Sequence, residues 1–144
     1  MGRVTAVAQI WNREDLWMVD RGLLAADAVR HVEVPDALVD TGAIILSLPT
    51  RIIQKLGLKA MGTKQTLTAG GPRETTIYQA VRLCVLDREC TVDVLEVPNS
   101  VPVLIGQVPL EILDLVVDPP NRRLIGNPAH GGQQMFEVFV TKEA

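Results

Sequence analysis

The sequence predicts a mainly-β fold with two or three short helices. Apolar residues come in short runs rich in Val, Ile, Leu and Thr, and Gly, Pro, Asn and Asp separate them. The chain is 47% hydrophobic but only 3% aromatic, so its core must be built from aliphatic side chains. Helical spacing occurs only in brief stretches, each with a local start or stop signal. At 144 residues the chain has the length of one typical domain and can bury a self-sufficient core. No repeat, low-complexity tract or linker divides it, so residues 1–144 are expected to form a single domain.

Val4 to Trp11 reads as a strand. Asn12 follows as a helix N-cap, with Glu14 and Asp15 placing negative charge in the first turn and Gly22 marking a stop. Val29 to Val34 alternates as a half-exposed strand does, and Ala37-Leu38-Val39 is a separate apolar run ending at Asp40-Thr41-Gly42. Ala43 to Leu48 is the next strand. Pro49 and Thr50 open a helix through Leu56, with Gly57 just past its end. Strands are expected at about 64–70, 73–86, 90–97 and 101–105, with one hairpin broken at Gly70-Gly71-Pro72 and another turning over Leu86 to Glu89. Val108 to Leu115 reads as a helix and Asp118-Pro119-Pro120-Asn121 as a turn before Arg122 to Ile125. Met135 to Val140 reads as a last strand.

Composition narrows the function. Fourteen basic residues against 17 acidic ones give a net charge of −3, without the basic footprint of a nucleic-acid binder. No apolar run approaches the ~18 residues that a spanning helix needs. The segment Met1 to Ala6 lacks the pattern of a secretory signal, and Ala6 stands where a myristoylation motif wants Ser or Thr. Cys84 and Cys90 flank a turn, and two reduced, buried thiols are the expectation over a cross-strand disulfide. On these features a cytoplasmic protein, free of membrane, is expected. His31 and His130 have no Cys or carboxylate at ligand spacing and read as surface or strand histidines; no metal or cofactor is expected. Gly70-Gly71 is not a phosphate loop, and no Ser sits in a nucleophile elbow. Trp11 and Trp17 read as helix-to-barrel packing in preference to an interface.

The informative segment is Ala37-Leu38-Val39-Asp40-Thr41-Gly42-Ala43. By itself Asp-Thr-Gly is ordinary turn chemistry. Here an apolar strand runs directly into it, and a strand, a Pro and a helix follow. Some 60 residues later Val103-Leu104-Ile105-Gly106 repeats the pattern of an apolar strand ending in Gly before a helix, with a Gly-tipped hairpin between the two.

In these features the chain resembles the retropepsin-like aspartic proteases, closest to the small prokaryotic members, over roughly Val29 to Asp118. The resemblance implies a closed, strand-rich acid-protease barrel with a flap hairpin over the site. It implies that Asp40 is the catalytic aspartate, that Thr41 holds the loop by hydrogen bonds across a dimer axis, and that Gly42 lets the backbone approach. Gly70 and Gly71 match the flap tip, and Leu104-Ile105-Gly106 matches the segment packed behind the catalytic loop. Ala43, Ile44, Val103 and Leu104 would then lie near the peptide, giving an apolar preference at the scissile bond. Retroviral members often carry an acidic residue after the Ala and an Arg after the later Gly; here Ile44 and Gln107 stand there.

The chemistry explains why one motif implies two subunits. Peptide hydrolysis by this route needs two carboxylates around one water, one acting as base and one as acid. Two carboxylates so close share a single proton, and activity should follow a bell peaking below neutrality. The chain has one Asp-Thr-Gly, and Asp87, Asp93, Asp114 and Asp118 are each in another context. A homodimer acting on a peptide or protein substrate supplies the second carboxylate by symmetry. The edge strands Val4–Ile10 and Met135–Val140 are the candidates for the remaining interface. A second reading is a non-catalytic dimerisation or peptide-binding module of the same fold, which the intact Asp40-Thr41-Gly42-Ala43 disfavours.

Overall fold

Strand β1 (Thr5–Asn12) opens the computed structural model, which describes residues 3–139. Alternation turns Ala8, Ile10 and Asn12 inward. Asn12 then caps helix α1 (Arg13–Asp20): its Oδ1 accepts from the Asp15 amide at 2.9 Å, while its Nδ2 donates to Leu56 O at 2.8 Å. One buried side chain therefore starts a helix and ties it to a distant segment. Asp15 is buried too and receives the Arg30 amide (3.0 Å), Nε (2.8 Å) and Nη2 (2.9 Å). Those Arg30 hydrogen bonds hold the Asp15 carboxyl below the usual carboxylate range.

Strand β2 (His31–Val39) is one strand where the sequence suggested two. Its pairing with β1 shifts between Ala6↔Ala37 and Ala8↔Val34, which leaves Pro35 and Asp36 in a bulge. A bulge tolerates a residue without an N–H, so Pro35 bends the strand and does not end it. Strand β3 is shorter than expected, Leu46–Pro49, and buried throughout. Ala43 to Ile45 fall outside it because their carbonyls are taken by the start of a later helix. Helix α2 (Thr50–Leu56) ends as read, with Gly57 left-handed at φ 64°.

Strands β4 (Ala60–Thr68) and β5 (Gly71–Val85) form the long hairpin, and β5 returns to β6 (Arg88–Val97) through Leu86 and Asp87. Both turn residues have positive φ (51° and 62°), so the turn is two residues long, as a tight hairpin requires. Strand β7 (Leu104–Ile105) precedes α3 (Gln107–Leu113), which stops two residues short of the expected Leu115 because Asp114 turns left-handed at φ 56°. Leu115 instead begins β8 (Leu115–Asp118), paired with β9 (Arg123–Gly126).

The main sheet runs β1-β2-β7-β3-β6-β5-β4, and β1 also pairs with β5. The ladder thus closes on itself through six strands, with β4 attached outside the circuit as the outer strand of the long hairpin. The fold is mainly β with three short α-helices, as expected. Its core is aliphatic, with Ile10, Leu46, Leu48, Leu56, Leu83, Val94, Ile105 and Leu113 all fully buried.

Two expectations about edges are corrected. Residues Gln9 to Trp11 pair with β2 on one side and β5 on the other, so that part of β1 is not an edge. Met135 to Phe139 form no strand; Val140 lies outside the described residues. Trp17 is corrected as well: it is half exposed, held between the guanidinium groups of Arg13 (4.5 Å) and Arg21 (5.5 Å), a cation–π arrangement and not core packing. Among the described residues no helix is long and apolar enough to cross a membrane.

Candidate active site

Asp40 stands at the end of β2, where the ladder gives way to a turn. Its amide donates to Ile105 O at 3.0 Å and its carbonyl accepts from Ala43 N at 3.0 Å, so both backbone groups are fixed. The side chain folds over the turn, with Oδ1 accepting from Gly42 N at 3.0 Å. This is an Asx-type turn, the local geometry that Asp favours. A Cβ on residue 42 would lie 3.2 Å from that oxygen, so glycine lets the carboxylate sit this close. Oδ2 accepts from no group among the described residues. Asp40 is half-buried, and Thr41 and Gly42 are exposed.

The loop is braced from behind by the second apolar strand. Leu38 pairs with Leu104 and Val39 with Ile105, in parallel. Beyond β7, three amides in succession reach into the Asp40 turn: Gly106 N to Ile45 O (3.0 Å), Gln107 N to Ala43 O (2.9 Å) and Val108 N to Ile44 O (2.8 Å). The backbones approach so closely that a Cβ on residue 106 would meet three backbone atoms of Ala43 to Ile45 at under 3.0 Å. Gly106 thus has a structural role, although the sequence signals it only as a Gly between strand and helix. Gln107, in the position where retroviral members often have Arg, turns to Glu111 of its own helix at 3.1 Å.

The β4–β5 hairpin has its two-residue tip at Ala69-Gly70, because Thr68 pairs with Gly71. Thr68 Oγ1 donates to Gly71 O (2.8 Å) and accepts from Gly70 N (3.2 Å), which pins the tip locally. Gly71 has φ 105°, a conformation side chains resist; Gly70 has no such need. Beneath the hairpin lies an open cleft of about 670 Å³. Its walls include Ser47, Thr50, Leu67, Leu95, Glu96 and Leu104.

Of the residues the sequence singled out, Leu104 lines this cleft. Ala43 and Ile44 sit in the turn beside Asp40, with Ile44 exposed; Gly70 is in the hairpin tip, and Gly71, the first residue of β5, stands beside it. Val103 is corrected: it is 3% exposed and belongs to the core, while its carbonyl accepts from Leu38 N at 2.8 Å. The charged groups of the cleft, Arg73, Glu74 and Glu96, were not singled out. They sit among strand residues, and only the closed sheet brings them to one surface.

His130 is a further correction. Its Nδ1 lies 2.6 Å from Asp114 Oδ2 and its Nε2 3.1 Å from Glu137, so it is half-buried and not isolated. Asp114 also accepts from Asn127 Nδ2 and Met135 N, joining α3 to the chain's last described segment. The hydrogen bond to Asp114, then that to Glu137, raises the His130 pKa, and His130 in turn lowers that of Asp114. Among the described residues no group of three or more metal-ligating side chains is assembled. Cys84 and Cys90 are free thiols, and burial pushes Cys90 up to about 11.

The comparisons with known proteins agree with this geometry. The aspartyl protease family matches residues 29–108, more than half of the chain and the span from β2 to the start of α3. The chain matches none of the curated proteins compared with it. Among solved structures it is similar to EIAV protease complexed with the inhibitor HBY-793. That match has a TM-score of 0.51 and 20% identity, covering 76% of this chain and 86% of the viral one. At that identity the likeness speaks for the fold. With Asp40-Thr41-Gly42 braced by Gly106 inside the matched span, this chain belongs to the aspartyl protease family and has the retropepsin-like fold.

Proposed function

We propose that the protein is an aspartic endopeptidase that works as a homodimer, with one Asp40 contributed by each subunit. The observation that carries the reading is the Asp40 turn: one carboxylate oxygen is held by Gly42 N, and the backbone is locked by Ile105 and Ala43. Such a fixed carboxylate needs little reorganisation during reaction. One Asp40 takes a proton from the water as it attacks the peptide carbonyl carbon. The other, protonated, gives its proton to the carbonyl oxygen, and the amine then leaves with a proton as the C–N bond breaks. Thr41, exposed at the turn, is positioned to bond across the two-fold axis. The hairpin tipped by Gly70 and Gly71 closes over the peptide and excludes water. Ala43, Ile44 and Leu104 give the residues at the scissile bond an apolar setting. The free thiols Cys84 and Cys90 suit the cytoplasm as its compartment.

The test is Asp40→Asn, which keeps the shape of the side chain and removes its ionisation. Cleavage of a fluorogenic peptide library should fall by about 10²-fold or more. Sedimentation should show the same dimer for both proteins. Excess variant mixed with wild type should suppress activity, because each mixed dimer has a single carboxylate. A monomeric active species, or activity within about tenfold of wild type in the variant, overturns the proposal.

A further inference from the structure

We propose that Glu96 makes one subsite of the cleft a receptor for a basic peptide side chain, lysine or arginine, away from the scissile bond. Glu96 lies near the end of β6, half-buried in the cleft wall. Its carboxylate is oriented by two hydroxyls on different elements. Thr50 Oγ1, at the start of α2, donates to Oε2 at 2.7 Å, and Tyr78 OH, on β5, donates to Oε1 at 3.3 Å. A carboxylate offers about four acceptor sites, so roughly two remain for a ligand. Among the described residues no cationic nitrogen lies within 4 Å of it, although four other carboxylates of the chain have such a partner.

The rest of the cleft adds no net charge to oppose it. Its ionisable walls are Glu74, Glu96 and one cation, Arg73, so acids exceed bases by one. Arg73 and Glu74 both belong to β5, in the arm of the hairpin near its tip. Glu96 belongs to β6, within the closed circuit of strands. A peptide side chain that ends in an ammonium or guanidinium supplies the donors that this fixed carboxylate lacks. Asp40 is not part of the cleft wall, whereas Leu104, paired with Leu38 just before it, is. The basic residue therefore sits beyond the two residues that flank the cleaved bond.

This inference rests on the peptidase reading, so the experiment separates binding from cleavage. Peptides identical except for lysine, norleucine or glutamate at one scanned position are assayed with wild type, Glu96→Gln and Glu96→Lys. Thermal unfolding confirms that each variant is folded. At one non-scissile position wild type should prefer lysine over norleucine by about tenfold in kcat/KM, the scale of a hydrogen bond to a partly exposed charge. Glu96→Gln should bring that ratio to within about twofold, and Glu96→Lys should favour glutamate. Fluorescence anisotropy with Asp40→Asn should give the same ranking without turnover, so loss of catalysis is not mistaken for loss of the subsite. Absence of a basic preference in wild-type binding overturns the proposal and points to Arg73 as the partner of Glu96. A lysine preference that survives in Glu96→Gln assigns the charge to Glu74 and overturns it equally.

Discussion

Gly106→Ser tests whether close backbone approach, rather than conformation, fixes the Asp40 turn. Gly106 has φ −87° and ψ −175°, extended backbone that any residue adopts, and it is the N-cap of α3. Serine is a better N-cap than glycine by a few tenths of a kcal/mol, so helix propensity alone predicts a slight gain. Space predicts the opposite. A Cβ would stand 2.7 Å from Ile44 C and 2.8 Å from Ala43 O, and closer still to Ile45 O. Reaching ordinary van der Waals separation means opening the gap by about 1 Å. That strains the three hydrogen bonds from Gly106, Gln107 and Val108 to the Asp40 turn. Overpacking of this kind costs about 1–3 kcal/mol, and weakening those bonds adds about 1 kcal/mol more. The expected loss is about 3 kcal/mol, which calorimetry should read as a fall in Tm of about 10 °C. Because Asp40 is anchored to the same segments, a displacement near 1 Å should also cost roughly 10²-fold in peptide cleavage. A Tm equal to or above wild type, with turnover retained, would refute the steric account and leave Gly106 as an ordinary helix cap.

Gly71→Ala forces a side chain into φ 105° at the hairpin tip, so turnover should fall about tenfold or more while Tm changes by less than about 3 °C, since the tip buries no core. The His130 cluster should give stability a pH dependence. His130 is raised by Asp114 and Glu137, so its contribution is present below the unfolded value near ~6.5 and is lost as pH climbs through the higher folded value. Asp114, lowered chiefly by His130, loses its own contribution only as pH falls through its depressed folded value. Proteolysis within 128–139 should therefore accelerate as pH is raised, with Arg88 still bonded to the carbonyls of Leu113, Asp114 and Gly132, and His130→Gln should flatten that dependence. Arg30→Ala leaves the buried Asp15 carboxylate without its cation. It should cost about 2 kcal/mol in urea titration at neutral pH, less than a fully buried pair because Arg30 is half exposed. The loss should shrink as acid protonates Asp15.

The sequence alone determined whatever depends on neighbours along the chain. Asn12 with Glu14 and Asp15 fixed the start of α1, and Gly57 fixed the end of α2, because caps act within one turn of helix. Asp40-Thr41-Gly42 was legible for the same reason: its Oδ1 to Gly42 N bond spans two residues. The aliphatic core followed from a composition with few aromatics. Tertiary structure decided whatever depends on approach across the chain. Pro35 looked like a strand end until β1 accommodated it as a bulge, and Ala43 to Ile45 looked like a strand until α3 took their carbonyls. Val103 and Leu104 are both apolar neighbours, yet alternation buries one and turns the other to the cleft. His130 seemed isolated because its partners, Asp114 and Glu137, lie 16 and 7 residues away. Glu96 gave no signal among strand residues. Only the closing of β3, β5 and β6 around it brings Thr50 and Tyr78 to its two oxygens, because a sheet joins residues by register and not by distance in sequence.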